Sequence, residues 1–262
     1  GDLSKFNNFN KLLSGILAER PVMQWKLDID VRDFYEQFNE DYNYKNIINA
    51  LCMLRNNKKG LSSWGDKTPG YIRDFDVIYK LFPEAKFIYI IRDGRDVALS
   101  LMERDWGPNN IYTAAHYWKQ LNTENQMLSG LETQGQLYKV RYEDLLDNVE
   151  HHIKEMYAFL GEDVSPEVIS SLSAKVRKGN YYKWKEKLSE TQIQLFEQIA
   201  SNTLGRFGYE TSYDEKSISQ FLSTFYKSHE KFLWLKYMFA VNVIDGIKIK
   251  FFGKENWGSL WW

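Results

Sequence analysis

The chain is poor in the residues that staple or anchor proteins. It has a single cysteine, Cys52. That excludes internal disulfides and leaves nothing to build a cysteine-rich zinc site, so Cys52 reads as a helix-packing residue. Its 34 basic and 35 acidic side chains leave a formal net charge of −1. No global field favours nucleic acid or an anionic membrane, and any anion site must be built locally. No apolar run approaches transmembrane length, and the N-terminus lacks a signal-peptide core, so the expectation is a cytoplasmic chain. There are only five prolines, all at breaks between segments, and there is no internal repeat or low-complexity linker. What remains is 262 residues, 44% hydrophobic and 16% aromatic. That suffices for one sizeable core plus an appendage.

The most informative stretch is Lys86 to Met102, KFIYIIRDGRDVALSLM. Phe87 to Ile91 is a short apolar, β-branched and aromatic run between Pro83-Glu84 and Asp93-Gly94, which reads as a buried strand. Val97, Leu99, Leu101 and Met102 follow at helix-compatible spacing. Between them a turn carries Arg92, Asp93, Gly94, Arg95 and Asp96. A strand, a glycine turn and a helix make half of a βα unit, and open α/β sheets bind ligands at the edge where such strands end. Two arginines there point to an anionic ligand. Ser100, two helical turns after Arg92, offers a hydroxyl to the same site. Asp93 and Asp96 are read as orienting Arg95 or capping the helix.

Along the rest of the chain, residues 1–20 read as a helix ended by Pro21, and amphipathic helices are expected over Val31 to Phe38 and Tyr44 to Arg55. Leu61 to Gly65 reads as a short strand, followed by Asp66-Lys67-Thr68-Pro69-Gly70 and a helix from Tyr71 to Phe82. One long helix is expected from Ile111 to Leu131, a strand from Gln136 to Arg141, and a helix from Tyr142 to Phe159 stopped at Gly161. Ser165-Pro166-Glu167 has the cap, proline and acidic first turn of a helix start. Lys175 to Lys187, basic and aromatic with one glycine, reads as a loop or a broken element. Ser189 opens a helix that ends near Gly205. Residues 216–244 read as a long aromatic helix before an aromatic tail. Helices alternating with three short strands mean α/β with a mainly parallel sheet. Right-handed crossovers then put Lys67, Arg92 and Arg141-Tyr142 on one edge. With Arg177 and Lys178 from the basic loop, that edge could hold a ligand with several phosphate-like charges, and Tyr142 or Trp184 could stack a base.

Asp66-Lys67-Thr68-Pro69, Leu81-Phe82-Pro83, Ile91-Arg92-Asp93-Gly94-Arg95-Asp96 and Ser100 follow one another with the order and spacing of a known pattern. The run resembles the sulfotransferases that use 3′-phosphoadenosine 5′-phosphosulfate (PAPS). Val140 to Leu145 is similar to that family's tyrosine segment, and Arg177-Lys178-Gly179 with Trp184-Lys185 and Gln192 to the cytosolic branch's Arg-Lys-Gly motif. The resemblance covers about residues 60–210 and implies a fold like that of P-loop NTPases: a three-layer α/β sandwich with a short, mainly parallel sheet and many helices. It implies that Arg92, Ser100, Arg177, Lys178 and Gly179 hold the 3′-phosphate, that Tyr142 contacts the adenine side, and that Lys67 stabilises charge on the leaving group. PAPS is the implied co-substrate, no metal is implied, and the acceptor is a hydroxyl on a small molecule, glycan, lipid or protein tyrosine.

Two departures qualify the pattern. Two residues after Lys67, where the cytosolic enzymes carry a catalytic histidine, stands Pro69. This Lys-x-Pro pattern is similar to the protein-tyrosine sulfotransferase branch, whose base is a glutamate just after the first helix. The family's Pro-x-Ser-Gly-Thr loop for the 5′-phosphosulfate is absent from the sequence. The expected organisation is therefore a sulfotransferase-like domain over 1–211, lacking its first strand and phosphate loop, with a helical aromatic extension over 212–262 packed on it. The alternative is a non-catalytic nucleotide-binding or scaffold relative that keeps the 3′-phosphate half-site. The apolar residues of the extension exceed what one exposed face needs. Packing on the core, or a homodimer, is the favoured reading, and a membrane-surface contact the lesser one.

Overall fold

In a computed structural model, the structure describes residues 1–38, 41–57, 63–104, 106–123 and 126–240. The chain forms two compact units, 1–85 and 86–262.

The first unit is helical: α1 (Phe6–Ala18), α2 (Arg20–Met23), α3 (Val31–Glu36), α4 (Tyr44–Asn57), a 3₁₀ turn (Pro69–Ile72) and α5 (Phe75–Leu81). Phe9 and Leu13 from α1 meet Phe34 from α3 and Ile47 and Leu51 from α4 in a buried core. Around Phe9 the rings of Phe34, Tyr35 and Phe38 stand at 5.1–6.2 Å, in edge-on and tilted pairings that aromatic quadrupoles favour. The Asp30 carboxylate caps α3 by accepting from the backbone N–H groups of Arg32 and Asp33.

Three expectations change in this unit. Pro21 does not end α1. The break falls at Glu19, whose backbone is extended, and Pro21 sits in the first turn of α2, where its missing N–H costs nothing. The helix expected from Tyr71 to Phe82 divides into the 3₁₀ turn and α5, because Asp74 leaves helical geometry between them. Of the strand expected over Leu61–Gly65, the first two residues lie outside the described set, and residues 63–65 form no strand. There the Trp64 indole donates to Asn49 Oδ1 and packs edge-on against Phe82, so side-chain packing rather than a ladder fixes the segment.

The second unit holds β1 (Phe87–Ile91), α6 (Gly94–Met102), α7 (Ile111–Thr123), α8 (Gln126–Thr133), β2 (Leu137–Arg141), α9 (Tyr142–Asp147), α10 (Val149–Leu160), α11 (Pro166–Ser173), α12 (Trp184–Lys187), α13 (Glu190–Arg206) and α14 (Gln220–Phe239). β1 and β2 pair in parallel, from Phe87 opposite Leu137 to Ile91 opposite Arg141. Where three strands are expected, two are found among the described residues. β1 is not buried on both faces either. Ile91 is in the core and Tyr89 packs against it, whereas Ile88 and Ile90 are exposed on the alternate face, as period-two geometry requires when helices cover one side.

That core lies between α6, α7 and α13, and its centre contains Ala98, Ala115, Trp118, Phe196 and Leu204. Gly94 is fixed by it: a Cβ there would stand 2.5 Å from the Trp118 ring and 2.7 Å from Phe196. The long helix expected over Ile111–Leu131 is described as α7 and α8 on either side of residues 124 and 125, which lie outside the described set, and the one expected over Tyr142–Phe159 breaks at Asn148. α10 stops at Gly161 with φ +80°, the left-handed cap that glycine takes at least cost. Ser189 and Gln192 open α13 with a reciprocal capping box. α14 docks on α7: Tyr226 stacks on Tyr112 with centroids 5.4 Å apart, and the Tyr112 hydroxyl bonds Ser223. The helix expected over 216–244 is described from Gln220 to Phe239; the tail over 241–262 lies outside the described residues.

Candidate functional site

Parallel pairing brings two strand ends together. Ile91 and Arg141 are register partners, so the next residues, Arg92 and Tyr142, leave the same edge of the sheet. The Arg92 guanidinium lies over the Tyr142 ring, 4.8 Å from its centroid, a cation–π contact that holds the side chain against β2's end. Arg92 Nη2 donates to the Asn180 carbonyl at 3.1 Å and faces Asp96 Oδ2 at 3.3 Å. Its Nε is buried and has no hydrogen-bond partner. A buried charged donor without an acceptor is costly, so its persistence needs a reason.

The basic loop reaches this edge through buried carboxylates. Asp96, 1% exposed, accepts from the backbone N–H groups of Tyr182 at 2.6 Å and Trp184 at 3.0 Å. That grip fixes the stretch after Gly179, whose φ of +69° and that of Tyr182, +55°, turn the backbone back toward α6. Arg177, Lys178 and Gly179 are exposed on this loop, within three residues of the carbonyl that meets Arg92. Ser100 is exposed on α6. Arg92, Tyr142 and the loop after Gly179 are thus brought into contact, whereas the Ser100 hydroxyl makes no hydrogen bond to Arg92.

Directly beneath lies a closed network of charge. Asp93 caps α6 by accepting from the Arg95 N–H, and its carboxylate also takes Arg95 Nε and Nη2 and the Trp184 indole N–H. Arg95 Nη1 reaches Glu197 at 2.6 Å, and Glu197 accepts further from the N–H groups of Ser212 and Tyr213. Glu143, the residue after Tyr142, accepts from the Asp93 N–H and the Tyr209 hydroxyl. Burial and the bond to Glu143 push the Tyr209 hydroxyl far above the ordinary tyrosine range, so it stays a donor. Asp93, Arg95, Glu143 and Glu197 are all buried. Their role is to fix the turn, in line with the reading of Asp93, Asp96 and Arg95 as structural. The Trp184 ring carries the Arg95 guanidinium at 3.7 Å, and its indole N–H is held by Asp93.

Lys67 belongs to the first unit. It is exposed in the irregular segment before the 3₁₀ turn, where the neighbouring Asp66 accepts from the Thr68 hydroxyl. Burial and a hydrogen bond to Asp66 raise the Tyr71 hydroxyl above its ordinary value.

Sequence reasoning missed Asn180 and Tyr182. Asn180 acts through its backbone carbonyl, which no residue type announces, and a left-handed tyrosine carries no compositional signal. The one available hint was Gly179, a turn residue just before both.

A model of the sulfotransferase family matches residues 14–166. The match takes in Lys67, Arg92, Ser100 and Tyr142 but stops before the Arg177 loop. No curated protein matches the chain. A match over more than half of the 262 residues, with the strand-end arginine and its helix turn inside it, means that the chain belongs to the sulfotransferase family.

Proposed function

We propose that the chain transfers a sulfonyl group from PAPS to an acceptor hydroxyl, and that the edge at Arg92 is the half of the site that holds the 3′-phosphate of the donor. The observation that carries this is the buried, unpartnered Nε of Arg92. A phosphate oxygen would satisfy it with a charge-assisted bond while Nη2 stays on Asn180. Ser100, Arg177, Lys178 and the flexible-backbone position Gly179 add a hydroxyl, two exposed cations and a turn around the same anion. The Tyr142 ring meets the adenine side.

The overall arrangement in this reading is a three-layer sandwich resembling P-loop NTPases, in which β1 and β2 are two strands of the central sheet. Sulfonyl transfer is an in-line displacement. It needs a base at the acceptor hydroxyl and stabilisation of the negative charge that builds on the departing phosphate. Lys67 supplies the second: a compact, mobile ammonium on the bridging oxygen. The cations in this scheme are side chains.

The test is a transfer assay with PAPS against phenolic, sugar and lipid hydroxyls, followed by Lys67→Ala. Removing one electrostatic contact to a developing charge is expected to lower kcat by about 10²–10³-fold while leaving the affinity for 3′,5′-ADP near its original value. A chain that binds 3′,5′-ADP yet transfers nothing to any acceptor is instead a nucleotide-binding relative. Equal kcat in the variant removes Lys67 from the chemistry.

A further inference from the structure

α14 is apolar on two sides. Its inner side rests on α7 through Tyr226 and Ser223. Its outer side carries Phe221, Phe225, Phe232, Leu235 and Phe239, which recur every three to four residues with Ser228 as the one gap, and are 51–83% exposed. At 3.6 residues per turn these side chains fall within about 80° of one another, in a stripe about 27 Å long. Lys236 flanks the stripe on one side and Lys231 on the other, both exposed. The helix's single acidic residue, Glu230, is turned inward, where it accepts from the Asn109 N–H and the Thr113 hydroxyl. The outward half of α14 therefore presents aromatic rings bordered by positive charge and no acid.

We propose that this face lies on an anionic lipid bilayer, with the phenylalanines entering the headgroup boundary and the lysines meeting lipid phosphates. Charge complementarity selects this occupant. A second copy of the chain would set the lysine bordering one stripe against a lysine bordering the other in either orientation. A neutral bilayer would leave the flanking charges without partners. Insertion is in the plane of the interface rather than across it: among the described residues no helix is long and apolar enough to cross a membrane.

The test is co-sedimentation of the full chain with phosphatidylcholine vesicles, with and without about one third phosphatidylserine. Partitioning is expected onto the anionic vesicles only, and it should weaken with salt. Two variants separate the contributions. Both alter only outward side chains, and their folding is checked by thermal melting. Phe225→Ser with Phe232→Ser should abolish binding. Lys231→Gln with Lys236→Gln should weaken it about 25-fold, at roughly a factor of five per lysine. Equal partitioning onto neutral vesicles, absence of binding, or unchanged binding by the phenylalanine pair would overturn the proposal. So would a dimer, seen by light scattering in the parent chain and dissolved by that pair of substitutions, in place of vesicle binding.

Discussion

Arg92 and Arg95 lie three residues apart in one turn, and their surroundings are opposite. Arg95 is 3% exposed, and its guanidinium is divided between Asp93, Glu197 and the face of Trp184. Arg92 stands at the strand edge, leans on Tyr142, and keeps one buried N–H without an acceptor. Arg95 has an internal partner on each guanidinium nitrogen. Arg92 is held in position by interactions that leave part of its hydrogen-bonding capacity open. Two neighbours of the same type can thus be separated into support and site by asking which donors are already used.

The comparison is sharpest at Arg95→Leu. It would leave Asp93 and Glu197 as buried carboxylates without a counter-charge, an arrangement that costs about 3–5 kcal/mol. The expected result is a loss of that size in denaturant-melt stability. A change under about 1 kcal/mol would mean that the network does not hold the turn. Asp96→Ala comes next. It frees the backbone N–H groups of Tyr182 and Trp184, each worth about 1–3 kcal/mol when buried without a partner. Hydrogen exchange at these two amides should accelerate, with affinity for 3′,5′-ADP falling because the loop after Gly179 loses its anchor. Protection unchanged at both would detach the loop from α6.

The smallest effect lies outside both arginines. Burial and the nearby His151 hold His152 below the ordinary histidine value of 6.5, and its Nδ1 is 2.8 Å from the Tyr138 hydroxyl. A depressed folded value means that the unfolded chain takes up this proton first, so stability should decline modestly as pH falls through 6.5. The decline should shrink in His152→Gln. A ring-proton NMR titration placing His152 above 6.5 would reverse the sign.

The turn was the legible part of the sequence. An apolar run, a glycine between charged residues and a helical pattern identify β1, α6 and the position of Arg92, because each follows from local backbone preference. Gly94 could be placed in a turn but not justified further: the Trp118 and Phe196 rings that forbid a Cβ arrive from α7 and α13, far along the chain. The same is true of Glu197, which meets Arg95 across 102 residues, and of Asn180, which meets Arg92 across 88. Local patterns also overextended helices at Asp74 and Asn148, where nothing in the periodicity marks a break. β1 looked buried on both faces because its sequence is uniformly apolar, while only the side of Tyr89 and Ile91 meets the core. The outward aromatic stripe of α14 was visible as an excess of apolar residues, but which of them face outward required the contact with α7.

The central claim is that Arg92 holds an anion with donors that the fold leaves open, and isothermal titration of 3′,5′-ADP into the parent chain and Arg92→Ala tests it most directly. Losing charge-assisted bonds of about 1.5–3 kcal/mol predicts affinity weakened about 10- to 100-fold or beyond detection, with the variant's folding checked by thermal melting because Asp96 also loses its counter-charge. Equal affinity in the two proteins, or no binding by the parent chain, would contradict it.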